Sequence, residues 1–199
     1  MREDSPEISI IQHTFRFFGL DWAISKLKPI VRKIINCKHS LEIDPSRLEV
    51  QAENTDNLNR LLAFVTSILD QFSLSTEDIP SEIIQTCGLI QESTEEKFPH
   101  SNYRGLAAML FLRFLCPIIV SPESNNITKA TITPEVRRRL ILVTKTIQAV
   151  VNGADSNESY MDTVNEYVLE KQQQLNHFYE QVLKVRKMKT EDNVLTLTI

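Results

Sequence analysis

The 199-residue sequence contains only four glycines, and this scarcity excludes several fold and function classes. β-Hairpin sheets need glycine in their tight turns, and loops that hold nucleotide phosphates are rich in it. A chain of this length can bury one substantial core. The sequence therefore predicts a single all-α domain without a nucleotide-binding loop.

Cysteine is also scarce, and long hydrophobic runs are missing. The three cysteines are odd in number, far apart and outside any metal-ligand or disulfide spacing, so we expect buried thiols in a reducing compartment. The first ten residues lack the pattern of a signal peptide, and the apolar run over 106–120 is too short to span a bilayer. These features predict a cytoplasmic protein that does not insert directly into a membrane.

Residue sets typical of enzymes are missing as well. The four histidines never occur at metal-binding helical spacing, no G-x-S-x-G motif occurs, and no cysteine has a base nearby in the sequence. We therefore expect no bound metal, no cofactor and no self-contained active site. The net charge of -4, the absence of interleaved aromatic residues and the spread of Arg137, Arg138 and Arg139 around a helix also argue against nucleic-acid binding.

Apolar residues recur at helical spacing in segments that polar, proline-containing joints separate. The predicted helices cover 7–18, a longer segment after Gly19 that Pro29 should kink, 58–72, 81–97, 103–116, 134–152 and 158–187. Thr133 is predicted to cap the sixth helix at its start, and Gly153 to end it. Residues 1–187 are predicted to form the domain, and 188–199 a loose tail.

The helix over 134–152 separates into two faces. One face is apolar and should lie against the core: Val136, Leu140, Val143, Ile147 and Val150.

The opposite face of that helix is polar, apart from one apolar side chain. It carries Arg138, Ile141, Lys145, Gln148 and Asn152. A solvated face is the ordinary explanation of such a stripe. A basic and amide stripe with one apolar member also suits docking onto an acidic protein surface.

A single arginine, Arg113, stands in the apolar stretch FLRFLCPIIVSP over residues 111–122. A covered guanidinium is costly unless its donors are satisfied. It could be structural and tie backbone carbonyls together, or it could position a functional loop. Residue chemistry alone favours the structural interpretation.

Several motifs resemble a known family. FLRFLCPIIVSP is similar to the F-L-R-x-x-x-P-A-I-x-x-P run of Ras GTPase-activating proteins of the neurofibromin type, with Ile118 in place of the alanine. RRLILVTKTIQAVVN (138–152) is similar to the family's R-x-L-x-L-x-x-K-x-x-Q-x-x-x-N helix. The resemblance extends over most of the chain, because it also includes YMDTVNEYV (160–168) and SKLKPIVRKI (25–34). It implies the all-α fold of that family.

The resemblance also implies residue roles. Members of the family insert an arginine finger into the site of a GTP-bound, Ras-like small GTPase, where it offsets charge on the transferred phosphoryl group. In the family, the finger lies at a set distance before a Leu-x-Pro motif, which is Leu27-Lys28-Pro29 here, and this spacing places the finger at Arg2. The helices that precede the finger in the family would then be absent from this chain. Arg113 matches the arginine that braces the finger loop. The helix over 138–152 would face the switch regions, and the protein would reach membranes through its GTPase partner.

Three functional hypotheses remain. The chain activates a GTPase with Arg2 supplied in trans, or it binds the GTPase without accelerating hydrolysis, or it is a helical scaffold without a GTPase partner. The first two hypotheses differ only at Arg2 and its neighbours, and the third predicts that the stripe over 138–152 contacts no GTPase.

Overall fold

The computed structural model describes residues 5–48, 54–73, 76–153 and 164–196, with side chains up to Lys187. In chain order, the elements are α1 (Pro6–Asn36), a 3-10 turn (Pro45–Arg47), α2 (Asn54–Ser73), α3 (Ser81–Lys97), α4 (Arg104–Ala107), a π-helical segment (Ala108–Leu115), α5 (Cys116–Val120), α6 (Pro134–Asn152) and α7 (Asn165–Thr196). No strand occurs in these ranges, which confirms the predicted all-α fold.

α1 is one continuous helix, although the sequence suggested a division at Gly19. Gly19 is buried against α3, where an added Cβ would come within 2.9 Å of Ile83 Cδ1. This glycine therefore permits two helices to approach closely and does not end the helix. α1 also continues past Pro29, whose ring removes one hydrogen-bond donor without ending the helix.

The helix predicted to end at Cys116-Pro117 continues to Val120. Before it, residues 108–115 are π-helical, and the N–H of Cys116 donates to the carbonyl of Phe111, five residues back. Pro117 has no N–H to donate and therefore fits in the first turn of α5. Because π-helical turns are rare and frequent at functional sites, this geometry singles out the helix that carries Arg113.

α6 is the central helix of the fold. It packs against α1, α2, α4, α5, α7 and the π-helical segment. Ten of its nineteen residues are buried, so only a narrow strip of its surface remains accessible. The buried hydroxyls of Thr144 and Thr146 donate to the carbonyls of Leu140 and Leu142, at 3.2 and 3.0 Å, and are thereby satisfied.

Aromatic rings connect the remaining helices to the π-helical segment. The ring of Phe111 lies 6.4 Å from that of Phe72 on α2 and 6.2 Å from that of Tyr179 on α7. Phe72 in turn lies 5.2 Å from Trp22 on α1. Each fully buried side chain of this kind contributes about 1.5–3 kcal/mol, so the rings hold three elements around the π-helical segment.

Two of the three cysteines are buried, as predicted, and one is not. Burial raises the pKa of the Cys87 and Cys116 thiols to about 12 each, which keeps both in the unreactive thiol form. Cys37 is half-exposed because it follows the end of α1, and its Sγ donates to the carbonyl of His39 at 3.6 Å.

α7 extends beyond the predicted end of the domain. The backbone remains helical to Thr196, past residue 187, where the sequence suggested the start of a loose tail. Helix-favouring lysine, methionine and glutamate continue there although the apolar stripe ends. Arg186 attaches α7 to α3, because its guanidinium contacts Gln85 at 3.2 Å and both oxygens of Glu92 at 2.5 and 3.1 Å. The beginning of the predicted last helix, up to residue 163, lies outside the described residues.

Gly105→Ala is expected to lower the thermal midpoint. An added Cβ would come within 2.2 Å of Thr94 Oγ1 and 3.0 Å of Thr94 Cβ. Thr94 is β-branched and its hydroxyl is bonded to the carbonyl of Ile90, so it cannot easily move. Overpacking should cost about 1–3 kcal/mol, although helix propensity alone favours alanine over glycine by about 1 kcal/mol.

Thermal denaturation of Gly105→Ala, Thr94→Ala and the double variant separates the two effects. In the double variant, the truncated threonine should make room for the new methyl group and recover most of the loss from Gly105→Ala. A higher midpoint in Gly105→Ala alone would contradict the close contact.

Candidate functional site

The apolar face of α6 lies where the sequence predicted it. All five residues of the predicted stripe are buried, with exposed fractions of 8% or less: Val136, Leu140, Val143, Ile147 and Val150. The predicted ends are also confirmed. The hydroxyl of Thr133 accepts from the N–H of Val136 at 3.4 Å, and Gly153 closes the helix in the left-handed region, at φ 78°.

The opposite face of α6 carries the predicted docking residues, which we call the α6 stripe: Arg138, Ile141, Lys145, Gln148 and Asn152. Gln148 and Asn152 are exposed, and the other three are half-buried. Exposure thus increases toward the C-terminal end of the helix. The half-buried Ile141 lies next to these polar side chains and offers one apolar contact.

Arg138 is engaged inside the protein. Its Nε and Nη2 atoms donate to the two carboxylate oxygens of Glu42, at 2.7 and 2.8 Å. This bidentate arrangement is the strongest geometry for an arginine–carboxylate pair. Arg138 therefore has a structural role at the start of the α6 stripe, and its contact with a partner stays a prediction.

The environment of Glu42 favours its ionised form. Burial by itself would raise the pKa of this carboxyl group, but hydrogen bonds from the Arg138 guanidinium and from the N–H groups of Asp44 and Ile43 outweigh burial and lower the pKa. The carboxylate is thus charged at neutral pH and holds the segment after α1 against α6.

The other two arginines of the Arg137-Arg138-Arg139 run are also bound within the chain. Arg137 donates to the carbonyl of Val120 and to Glu123, which attaches α6 to the end of α5. Arg139 donates to the carbonyl of Ile34 at 3.1 Å and to that of Cys37, which attaches α6 to the end of α1. The run that resembles a basic patch in the sequence is a set of three internal anchors.

Arg113 and Arg2 differ in what the structure shows of them. Arg113 lies on the π-helical segment, which packs against α6, and it is half-buried, as predicted. Arg2, the predicted finger, lies outside the described residues. The α6 stripe and Arg113 thus belong to neighbouring helices, whereas the structure does not relate Arg2 to them.

One residue next to the α6 stripe was missed by the sequence reasoning. Arg104 borders a cavity of about 380 Å³ together with Ala108, Val151 and Asn152. Neither a motif nor a charge run marked this arginine, and only the packing of α4 against the end of α6 brings it there.

The described part of the chain offers few other kinds of site. Its histidine, cysteine and carboxylate side chains form no group of three that could hold a metal ion. None of its helices is long and apolar enough to cross a bilayer.

Residues 46–152, more than half of the chain, match the family "GTPase-activator protein for Ras-like GTPase" (RasGAP). The chain therefore belongs to the RasGAP family. It is 29% identical to human "Ras GTPase-activating protein 1" over 167 residues, 81% of this chain, and 31% identical to the "Inhibitory regulator protein IRA1" of Saccharomyces cerevisiae over 139 residues, 69% of this chain. A third relative, the "Probable Ras GTPase-activating-like protein ngap" of Dictyostelium discoideum, is 25% identical over 169 residues, 82% of this chain.

These relatives are much longer than the chain. The matched region spans 16% of the human protein, 4% of the yeast protein and 19% of the Dictyostelium protein. The similarity thus covers one region of each relative, and it includes α6 and the π-helical segment.

Glu42→Gln is expected to destabilise the fold by about 1–2 kcal/mol at neutral pH, because it removes a charge-assisted pair from a covered site. The sign of the pH dependence follows from the lowered pKa of Glu42. A carboxyl group with a lower pKa in the folded state stabilises the fold above its unfolded pKa, and this contribution is lost as the pH falls through the folded value. The stability difference between the two chains should therefore shrink below about pH 4.

Urea denaturation of both chains between pH 3 and pH 7, roughly the range over which a carboxyl group titrates, measures this difference. Glu96→Gln is the matched control, since this substitution removes the same charge from an exposed position of α3 that has no bidentate pair. A constant difference across the pH range would show that the Glu42 pair contributes no ionic stabilisation.

Proposed function

We propose that this chain docks on the switch regions of a GTP-bound, Ras-like small GTPase and accelerates GTP hydrolysis by supplying an arginine in trans. The observation that carries the proposal is the α6 stripe. Although α6 is packed on most sides, the polar residues that match the family motif remain at its surface, and Gln148 and Asn152 are exposed. Membership in the RasGAP family supports the same role.

Docking would use the exposed part of the α6 stripe. Gln148 and Asn152 can each donate and accept hydrogen bonds, so they suit the backbone of a flexible switch segment. Lys145 provides a cation for an acidic surface, and Ile141 provides the apolar contact. Polar contacts of this kind determine orientation and partner choice more than total affinity.

The chemical step would take place on the GTPase, which holds GTP and magnesium itself. The finger, assigned to Arg2, would place a guanidinium against the oxygens of the transferred phosphoryl group, where negative charge develops. Docking energy would hold the arginine in position, so that little of its stabilisation is lost to ordering. The chain itself would form no covalent bond with the nucleotide.

Arg113 would support the finger without touching the nucleotide. Its planar guanidinium has five donors in fixed directions, which suits several backbone carbonyls at once. A position on the half-buried, π-helical segment limits its freedom of movement. We therefore assign to Arg113 the role of a positioning residue that braces the loop carrying Arg2.

Arg2→Ala is expected to abolish acceleration of GTP hydrolysis while GTPase binding remains. An arginine finger contributes about 10³- to 10⁵-fold to the rate in Ras GTPase activation, a magnitude known for this reaction class. Single-turnover hydrolysis with excess chain over a panel of GTP-loaded Ras-like GTPases measures the effect. Arg16→Ala is the control, because Arg16 lies on α1 and donates to Asn125 at 3.3 Å.

The possible outcomes separate the catalytic from the non-catalytic hypothesis. Acceleration by the parent chain and by Arg16→Ala, with none by Arg2→Ala, would support the finger. Binding without acceleration by the parent chain would instead identify a non-catalytic GTPase-binding domain. An accelerating Arg2→Ala chain would remove Arg2 from the mechanism.

Lys145→Ala and Gln148→Ala are each expected to weaken binding to the GTP-bound GTPase by about tenfold, because each removes a polar contact worth about 1–2 kcal/mol. Titration with a GTPase loaded with a non-hydrolysable GTP analogue gives the dissociation constants. Lys33→Ala is the control, since it removes an exposed cation from α1. Equal affinities of all four chains would exclude docking through α6, and no measurable binding by any of them would support the scaffold hypothesis.

A further inference from the structure

Three exposed apolar side chains lie near one another on α1. They are Ile10, Phe17 and Phe18, with exposed fractions of 66%, 83% and 43%. The other large apolar side chains that are exposed in the described ranges stand singly, on α3, directly after it and on α7. Single exposed residues are ordinary, whereas a contiguous patch marks an interaction site. We call the three residues of α1 the α1 apolar face.

The α1 apolar face lies opposite the side of α1 that packs in the core. Ile10 and Phe17 are seven residues apart, almost two full turns, so they share one side of the helix, with Phe18 on its flank. Phe15 and Trp22 are buried on the other side. The exposed rings are therefore not part of the core, and only a contact from outside it can cover them.

The α1 apolar face has both a projecting ring and a recess. A cavity of about 570 Å³ lies beside the projecting ring of Phe17, and side chains of α1 alone line it: His13, Thr14, Arg16, Phe17, Phe18 and Leu20. The Phe17 and Phe18 rings are 4.9 Å apart at an angle of 81°, the edge-to-face arrangement that aromatic pairs favour. A surface with both a projection and a recess can fit a second copy of itself across a two-fold axis.

The two ends of the same exposed side carry opposite charges. Glu7 is exposed in the first turn, and Lys28 is half-buried 21 residues later, within about 60° of the same direction around the helix. No ion pair within the described ranges engages either residue. Their midpoint along α1 is also the midpoint between Phe17 and Phe18. A second α1 that lies antiparallel across this point would therefore place each Glu7 opposite a Lys28.

The area that α1 offers is sufficient for a dimer only if polar residues take part. A fully covered aromatic side chain buries about 150–250 Å², so the exposed parts of Phe17 and Phe18 offer roughly 250 Å² per copy. A stable interface covers about 800 Å² per partner. The helix from Glu7 to Lys28 is about 33 Å long, so its polar side chains can supply the rest as a rim around an aromatic centre.

We propose that two copies of this chain form a dimer through α1, antiparallel about a two-fold axis between Phe17 and Phe18. The Phe17 ring of each copy enters the recess beside Phe18 of the other copy, and Glu7 pairs with Lys28 at both ends. The self-complementary placement of rings and charges favours a second copy over an unrelated protein. This contact needs no GTPase, so the inference is independent of the proposed function.

Sedimentation velocity of the chain alone, over a range of concentrations, gives the dissociation constant of the dimer. Phe17→Ala should weaken the dimer by at least about a hundredfold, because two copies of a central aromatic contact are lost. Leu169→Ala is the matched control, since it removes a side chain that is 60% exposed on α7, and it should leave the dimer unchanged. Under conditions in which all three chains are monomeric, their thermal midpoints should be equal, because neither side chain belongs to the core.

Charge reversal tests the antiparallel arrangement. Glu7→Lys and Lys28→Glu should each weaken the dimer about tenfold, because each brings two pairs of like charges together. An equimolar mixture of the two variants should associate as strongly as the parent chain, since both ends of the mixed dimer again carry opposite charges. In a parallel dimer, Glu7 would lie beside Glu7, and Glu7→Lys would not weaken the association.

Each of the other outcomes overturns the inference or a defined part of it. If the parent chain stays monomeric at every concentration up to its solubility limit, the α1 apolar face binds no second copy and belongs to a different partner. If Phe17→Ala dimerises like the parent chain, the interface lies elsewhere. If Phe17→Ala is monomeric but neither charge reversal weakens the dimer, the antiparallel arrangement is overturned.

Discussion

Three consecutive arginines hold α6 in place, and the placement of α6 determines what the candidate site presents. Arg137, Arg138 and Arg139 connect the first turns of this helix to the end of α5, to Glu42 and to the end of α1. Consecutive residues on a helix point in directions about 100° apart, so one short run can reach three separate elements. With its beginning held from three sides, α6 can bury ten residues and still keep a polar strip at the surface.

The site combines this anchored helix with a neighbouring helix of unusual geometry. The π-helical segment carries Arg113 and places Phe111 among the rings of α2 and α7. Arg104 precedes the same segment and lies next to Asn152. The interior contacts of these two helices thus determine the positions of Arg104 and Asn152 at the surface. A surface whose residues are already held in place loses little entropy when a partner binds.

The sequence predicted best those features that depend on neighbouring residues. The cap at Thr133, the stop at Gly153 and the apolar face of α6 all follow from local signals and are confirmed. Contacts between distant residues were not predictable, since Glu42 and Arg138 are 96 positions apart. The same limit explains the errors at Gly19 and Pro117, where packing against Ile83 and a π-helical turn replaced the expected breaks. The assignment of Arg2 and Arg113 came from motif resemblance and stays a prediction.

The π-helical segment also restricts how the length of this region can vary. A turn closed by i→i+5 hydrogen bonds contains one more residue than an α-helical turn. Deleting one residue from 108–115 would therefore let these turns close as α-helical ones, and the helices before and after the segment would keep their relative direction. An inserted residue has no such compensation and would rotate Arg104 and Gly105 by about 100° relative to α5. The segment should therefore accept the loss of one residue more readily than the gain of one.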